Sequence, residues 1–348
     1  MSSAIGLSPA ADAALKFGAA MATERRWCDA ASAFLMAARF GDSRALPMLS
    51  LGECARRLVS EHAFAPKRAL ASARASGSIS VIVCSITPAK LARLKQNLEE
   101  RLAGEDWELV HIGDAASLAE GYMRGYARAR GDLFVFCHDD IEILSPDFSA
   151  KLRAYLADYA LIGVAGSTLA SGPDWAWSGF PYLYCWITQP HVLPQHRHLG
   201  PVTLLMGTHG PVVAGAQLLD GVFLATHRDV VKRIGFDATT FDGFHLYDLD
   251  FSYRTFLSGA RTAICMDIAL LHESAGNFDS THREYAQRYC AKLPQACSAL
   301  QQPVPREVPM MPLARSTLLE ELAWLGHWVG QDDEELRGRI RAAAREQR

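Results

Sequence analysis

No C-x-x-C pair occurs among the eight cysteines of this 348-residue sequence. That absence argues against a zinc knuckle and against a disulfide framework, and favours a reducing compartment. Charge is also sparse, at 21% Asp, Glu, Lys and Arg with a formal net charge of −3. Without a basic surplus there is no reason to expect nucleic acid or an anionic membrane surface as a partner. The first thirty residues carry no basic segment followed by an apolar one. An uncharged stretch from Leu199 to Leu219 is broken by His209, several glycines and two prolines. The expectation is a soluble, cytoplasmic protein with neither a secretory leader nor a spanning helix.

What is present is a core-forming composition, 49% hydrophobic, sufficient for one large domain or two to three smaller ones. Residues from about Ala10 to Ala75 read as helix, rich in Ala, Leu and Arg. Phe17-Gly18 and Leu51-Gly52 stand 34 positions apart, as do Ala37 and Ala71, and Trp27, Ala30, Phe34 and Ala37 supply interlocking small and aromatic positions. This segment resembles a tetratricopeptide pair, with an ordinary helical hairpin as the simpler reading. A small, polar linker, Ala73 to Ser78, follows.

Beyond the linker the pattern alternates strand and helix. Ile79–Cys84, Trp107–Ile112 and Leu133–Cys137 read as buried strands, with helices over Ala89–Arg101 and Ser117–Arg130 between them. Such units predict a parallel sheet with right-handed crossovers. A helix is expected over Pro146–Tyr159 and one strand over Leu161–Gly166. Residues 167–215 read as loop, long enough to be functional. Order returns at Leu219–Ala225, in helices from Arg228 and over Asp248–Gly259, and in a strand at Thr262–Met266. The chain is mostly helical after Thr281.

Chemistry concentrates where the third strand ends, at His138-Asp139-Asp140. Open α/β sheets bind ligands at the carboxyl ends of their strands. Carboxylates suit Mg²⁺ or Mn²⁺, which carry substrate phosphates, so a metal–diphosphate site is expected at Asp140 with His138 and Asp139 beside it. His272, at the end of an apolar run, is a further candidate ligand. Asp248 and Asp250 share the first turn of a helix, where one serves as a cap and the other can take a proton from a sugar hydroxyl. Trp175 and Trp177 offer faces on which sugar rings pack, and are assigned with Asp250 to an acceptor cleft. His191, His196 and His198 match no tetrahedral zinc spacing.

Four segments in this order resemble a family 2, GT-A-type glycosyltransferase: Val81–Ser85, Ala127–Asp140, Leu219-Asp-Gly221 and Tyr247–Arg254. The resemblance spans roughly residues 78–274. It implies an α/β fold with a mainly parallel nucleotide-binding sheet flanked by helices and joined to an acceptor-binding half. The family's D-x-D metal motif falls on His138 and Asp140, with histidine in place of the first acid. Its Glu-Asp pair falls on Tyr247-Asp248, making Asp248 the base and leaving the Glu absent. Arg254 matches a recurrent arginine and is expected to pair with Asp250. Ser85, Thr87, Asp114 and Asp139 would face the nucleotide, and Asp220 and Gly221 would line the floor.

The implied activity is a metal-dependent, inverting, hexosyltransferase-like transfer. It would use Mn²⁺ or Mg²⁺ and a nucleotide-diphosphate sugar, with a hydroxyl acceptor on a glycan, lipid or protein. Expected domains are residues 1–76 (helical, repeat-like), 77–275 (glycosyltransferase-like) and 276–348 (helical extension). The departures at His138 and Tyr247 leave open a non-catalytic scaffold that binds a protein partner, or a second copy, through its N-terminal helices.

Overall fold

The computed structural model describes residues 9–39, 54, 73–178, 182–189, 202–206, 212–274 and 280–297. Leu51-Gly52, Ala71, His191, His196, His198 and the tail beyond Cys297 lie outside them. The chain divides into two compact units, one comprising residues 1–69, 187–210 and 309–348, the other 70–186 and 211–308. In the first, α1 (Pro9–Thr23) and α2 (Trp27–Arg39) pack together. Gly18 sits against the Phe34 ring, where an added Cβ would come within 2.7 Å. Ala30 and Ala37 are completely buried, as interlocking helices require. The matching second half of the proposed repeat falls outside the described residues.

The second unit begins with β1 (Ile79–Cys84), α3 (Pro88–Arg101), β2 (Trp107–Ile112), α4 (Leu118–Arg128) and β3 (Leu133–Cys137). These form parallel pairs in the order β2-β1-β3, as the alternating pattern predicts. Every side chain of β3 is buried. Burying an aromatic or aliphatic side chain of this size contributes about 1.5–3 kcal/mol, so the apolar run fixes the strand in the middle of the sheet.

From here the architecture departs from the expected mainly parallel sheet. β4 (Ile141–Ile143), α5 (Phe148–Asp158), β5 (Leu161–Gly163), β6 (Ala165–Ser167), β7 (Leu183–Gln189), β8 (Val202–Met206) and β9 (Val212–Ala214) follow in the chain, with β8 and the last three residues of β7 counted in the first unit. Next come β10 (Leu218–Leu219), β11 (Phe223–His227), α6 (Arg228–Ile234), α7 (Tyr247–Leu257), β12 (Thr262–Cys265), β13 (Leu270–His272), α8 (Ser280–Lys292) and α9 (Pro294–Cys297). The first sheet is mixed, ordered β2-β1-β3-β11-β5-β12-β9, because β11 inserts antiparallel to both β3 and β5. A second sheet is ordered β10-β6-β7-β13-β4.

The single strand expected over Leu161–Gly166 is two strands in two sheets, separated by Val164. Gly163 and Gly166 permit this, since a Cβ at Gly166 would lie 2.2 Å from the Leu218 carbonyl oxygen. The stretch read as loop from residue 167 holds β7, β8 and β9, short apolar runs set among many Pro and Gly residues. Cys290 and Cys297 form a disulfide between α8 and α9, contrary to the cysteine reading; their Cα atoms are 5.7 Å apart. Cys84 and Cys137, at the ends of β1 and β3, are free thiols.

This mixed topology positions the site. Antiparallel pairing sets Phe223, the first residue of β11, opposite Cys137, the last of β3. The turn before β11 therefore lies beside the carboxyl end of β3, and the His138 amide donates to the Val222 carbonyl at 3.2 Å. In the second sheet β13 pairs with β4 so that His272 opposes Ile141, and the Glu273 amide donates to the Asp140 carbonyl at 2.9 Å. Two residues 130 positions or more apart in sequence are thus held together by backbone.

Candidate active site

Three side chains with metal-ligating atoms meet at the end of β3. His138, Asp140 and His272 each contribute one such atom within 4.8 Å of the others. His272 Nε2 lies 3.3 Å from Asp140 Oδ1, and His138 Nδ1 lies 3.4 Å from His272 Nε2. The remaining oxygen of Asp140, Oδ2, accepts from Lys90 Nζ at 3.1 Å. Burial opposes the charge on Asp140, yet the His272 hydrogen bond and the Lys90 ammonium hold its carboxyl well below the usual range. Burial, aided by His272, lowers the His138 pKa and keeps the imidazole neutral, the form that ligates metals.

Asp139 points elsewhere. Its Oδ2 accepts from Ser85 Oγ at 2.7 Å, and Oδ1 is 3.9 Å from Lys90 Nζ. The Ser85 hydroxyl also accepts from the Thr87 amide. The start of α3, the end of β1 and the end of β3 are thereby tied through one hydroxyl and one ammonium. Lys90 gave no signal in sequence beyond standing in a first helical turn after a strand, and it was not among the expected site residues.

A second group of acids forms on the other side of β3. The Asp220-Gly221 turn between β10 and β11 receives α7, and the Gly221 amide donates to Asp248 Oδ2 at 2.7 Å. Asp220 Oδ1 accepts from the Val222 amide at 2.8 Å, and its Oδ2 accepts from Trp175 Nε1 at 2.7 Å. Part of the Asp248 surface reaches solvent. Burial of the rest, followed by the charge of Asp220, pushes its carboxyl up to about 7. Leu246, just before α7, is buried with φ of 59°, a left-handed conformation unusual for a branched side chain and costing about 1–2 kcal/mol. Strain of this kind is retained where the surroundings over-determine the backbone.

Other expected residues fall outside these clusters. Asp250 is completely buried, its Oδ2 held by Arg254 at 2.6 Å and its Oδ1 2.6 Å from Lys292 Nζ. It fastens α7 to α8, has no face open to an acceptor, and pairs with Arg254 as expected. Asp114, at the end of edge strand β2, is 81% exposed and pairs with Arg124 at 2.8 Å. The Thr87 side chain is exposed and makes no cap bond to α3. Trp175 is tied to Asp220, whereas Trp177 is 54% exposed and lies over Gly172.

A family model described as "Glycosyltransferase like family" matches residues 80–291. Comparison with curated proteins returned no match. Among solved structures, the chain is similar to the mannosyltransferase PcManGT from Pyrobaculum calidifontis, in complex with GDP-Man and Mn²⁺. The identity is 15%, the coverage 92% of this chain and 91% of that one, and the TM-score 0.38. It is also similar to GalNAc-T7 with UDP, GalNAc and Mn²⁺, at 11% identity and a TM-score of 0.43, covering 82% of this chain and 64% of that one.

Proposed function

The chain belongs to this glycosyltransferase-like family, and from that premise we propose that it is an inverting, hexosyltransferase-like enzyme using a nucleotide-diphosphate sugar and a divalent cation. The observation that carries the reading is the pairing, across the end of β3, of a His-Asp-His cluster with an aspartate whose carboxyl is pushed into the neutral range. Two imidazoles and a carboxylate converging in a protected position suit a borderline divalent cation such as Mn²⁺ better than Mg²⁺, which prefers oxygen ligands, with Asp140, His272 and His138 to hold it. When bound, that cation would supply Lewis-acid stabilisation of charge on the departing diphosphate.

The remaining work belongs to side chains of this protein. Asp248 accepts the proton of the acceptor hydroxyl as that hydroxyl attacks the anomeric carbon, and the Gly221 amide keeps its carboxylate aimed. Asp220 raises the affinity of Asp248 for that proton and is itself oriented by the Trp175 indole. Ser85 and Asp139 offer a hydroxyl and a carboxylate to the nucleoside, and Lys90 offers a cation to the diphosphate. Trp177 exposes an aromatic face for the acceptor.

A thermal-shift panel of nucleotide-diphosphate sugars with and without Mn²⁺ tests this, because a ligand that binds only the native state stabilises it by mass action. Stabilisation by one donor class, larger with the cation, is expected. Absence of any shift with every donor would overturn the assignment.

A further inference from the structure

His138 has its two ring nitrogens committed to different neighbours. Nδ1 lies inside the ligand cluster, 3.4 Å from His272 Nε2, while Nε2 lies 3.3 Å from the Tyr247 hydroxyl. A neutral imidazole has one N–H and one lone pair, and the partner of one nitrogen decides the state of the other. The Tyr247 hydroxyl has two groups that accept its proton, the Gly221 carbonyl oxygen at 3.5 Å and the Tyr122 hydroxyl, whose own proton goes to the Cys137 carbonyl at 3.2 Å. Its lone pair then faces His138 and calls for an N–H. With the proton on Nε2, the lone pair of Nδ1 is left facing Asp140 and His272.

The position of that hydroxyl is over-determined. Tyr247 is buried, its ring set edge-on to Tyr122 at 5.6 Å and beside Phe236 at 6.1 Å. Its oxygen occupies the space that a side chain at residue 221 would fill, since an added Cβ would come within 2.2 Å of it. Ligating histidines generally depend on such a partner on the far nitrogen to fix tautomer and ring orientation.

Resting on the reading of the cluster as a metal site, we propose that Tyr247 is a positioning residue that holds His138 in its Nε2–H tautomer and so makes Nδ1 a ligand. One residue then serves both halves of the site. The hydroxyl of Tyr247 orients His138, and its backbone leads directly into Asp248, whose carboxylate is held by the Gly221 amide of the same floor.

Two measurements on the full-length chain test this. Calorimetric titration with Mn²⁺ should show binding by the parent, roughly 10-fold or more weaker binding by Tyr247→Phe, and equal affinities for His138→Ala with and without Tyr247→Phe. Histidine ¹⁵N spectra of the metal-free proteins should show the proton of His138 on Nε2 in the parent and redistributed toward Nδ1 in Tyr247→Phe. If the parent binds Mn²⁺ and Tyr247→Phe binds it equally well, the positioning role is overturned while the metal site stands. If the parent does not bind Mn²⁺, both fall. A parent spectrum with the proton on Nδ1 overturns the proposal even if the variant fails to fold.

Discussion

Asp140 follows β3 and Asp248 opens α7, and both are largely enclosed by protein near the same end of β3, yet their environments push them in opposite directions. Around Asp140 stand two imidazoles and the Lys90 ammonium, and its carboxyl is held well below the usual range despite burial. Around Asp248 burial acts without a cation, Asp220 adds a like charge, and the carboxyl rises to about 7. An aspartate of the first kind stays charged and suits a cation; one of the second kind exchanges protons near neutral pH. Divergence of two carboxylates in one site is a pattern of acid–base enzymes generally. The lesson is that side-chain identity said little about role here, and neighbouring charge said most.

The comparison breaks most visibly if its members are neutralised one at a time. Asp248→Asn should lower turnover by about 10²–10⁴-fold, the usual contribution of a positioned base, while leaving Mn²⁺ affinity near the parent value. Asp140→Asn should do the reverse in binding, abolishing calorimetric Mn²⁺ uptake, with turnover down by about 10²–10³-fold through lost charge stabilisation. If Asp248→Asn lost the metal, or Asp140→Asn kept it, the division of labour would be wrong.

Asp220→Asn sharpens the contrast without destroying it. Removing the like charge should move the acidic limb of the kcat/KM profile downward by about one pH unit, because one source of the raised Asp248 pKa is gone. The same group makes a prediction for stability. A carboxyl whose folded pKa lies above its unfolded value binds more protons folded than unfolded between roughly pH 4 and 7, so its contribution falls as pH rises through that window. Asp248→Asn should therefore raise Tm relative to the parent more at pH 8 than at pH 4. For Asp140, held below its ordinary value, stability is present above about pH 4 and lost on acidification, so Asp140→Asn should erode that acid dependence.

Much of the first half of the second unit was legible because its physics is local. Leu133 to Cys137 is a continuous apolar run ending in polar residues, and a run like that has few places to go except a central strand. Asp140 and His272 were readable as candidate ligands for a related reason, since each follows such a run. The insertion of β11 against β3 was not legible, because it depends on a pairing between segments nearly ninety residues apart that no local periodicity records. Without that strand Asp220 could not approach Asp248, nor Tyr247 reach His138. The substitutions that set His138 and Tyr247 apart in sequence looked like two separate losses; in three dimensions they are neighbours at 3.3 Å. Asp250 misled for the opposite reason, because a first-turn carboxylate shows its helix position and its Arg254 partner in sequence but not the Lys292 that completes its enclosure.

The smallest expected effect lies at the rim of the base cluster. The Trp175 indole donates to Asp220 Oδ2 at 2.7 Å, a bond to a charged acceptor of the stronger class. Trp175→Phe keeps the ring and removes the donor. Asp220 would then be held by the Val222 amide alone, and its carboxylate could turn away from Asp248. The acidic limb of the rate profile should move downward by less than in Asp220→Asn, with kcat at pH 8 within a few-fold of the parent. Trp177→Ala, by contrast, removes an exposed ring that bonds neither acid, and should raise acceptor KM while leaving the profile's shape untouched. A Trp175→Phe profile identical to the parent's would show that the indole shapes the loop alone, and that Asp220 is held by the Val222 amide without its help.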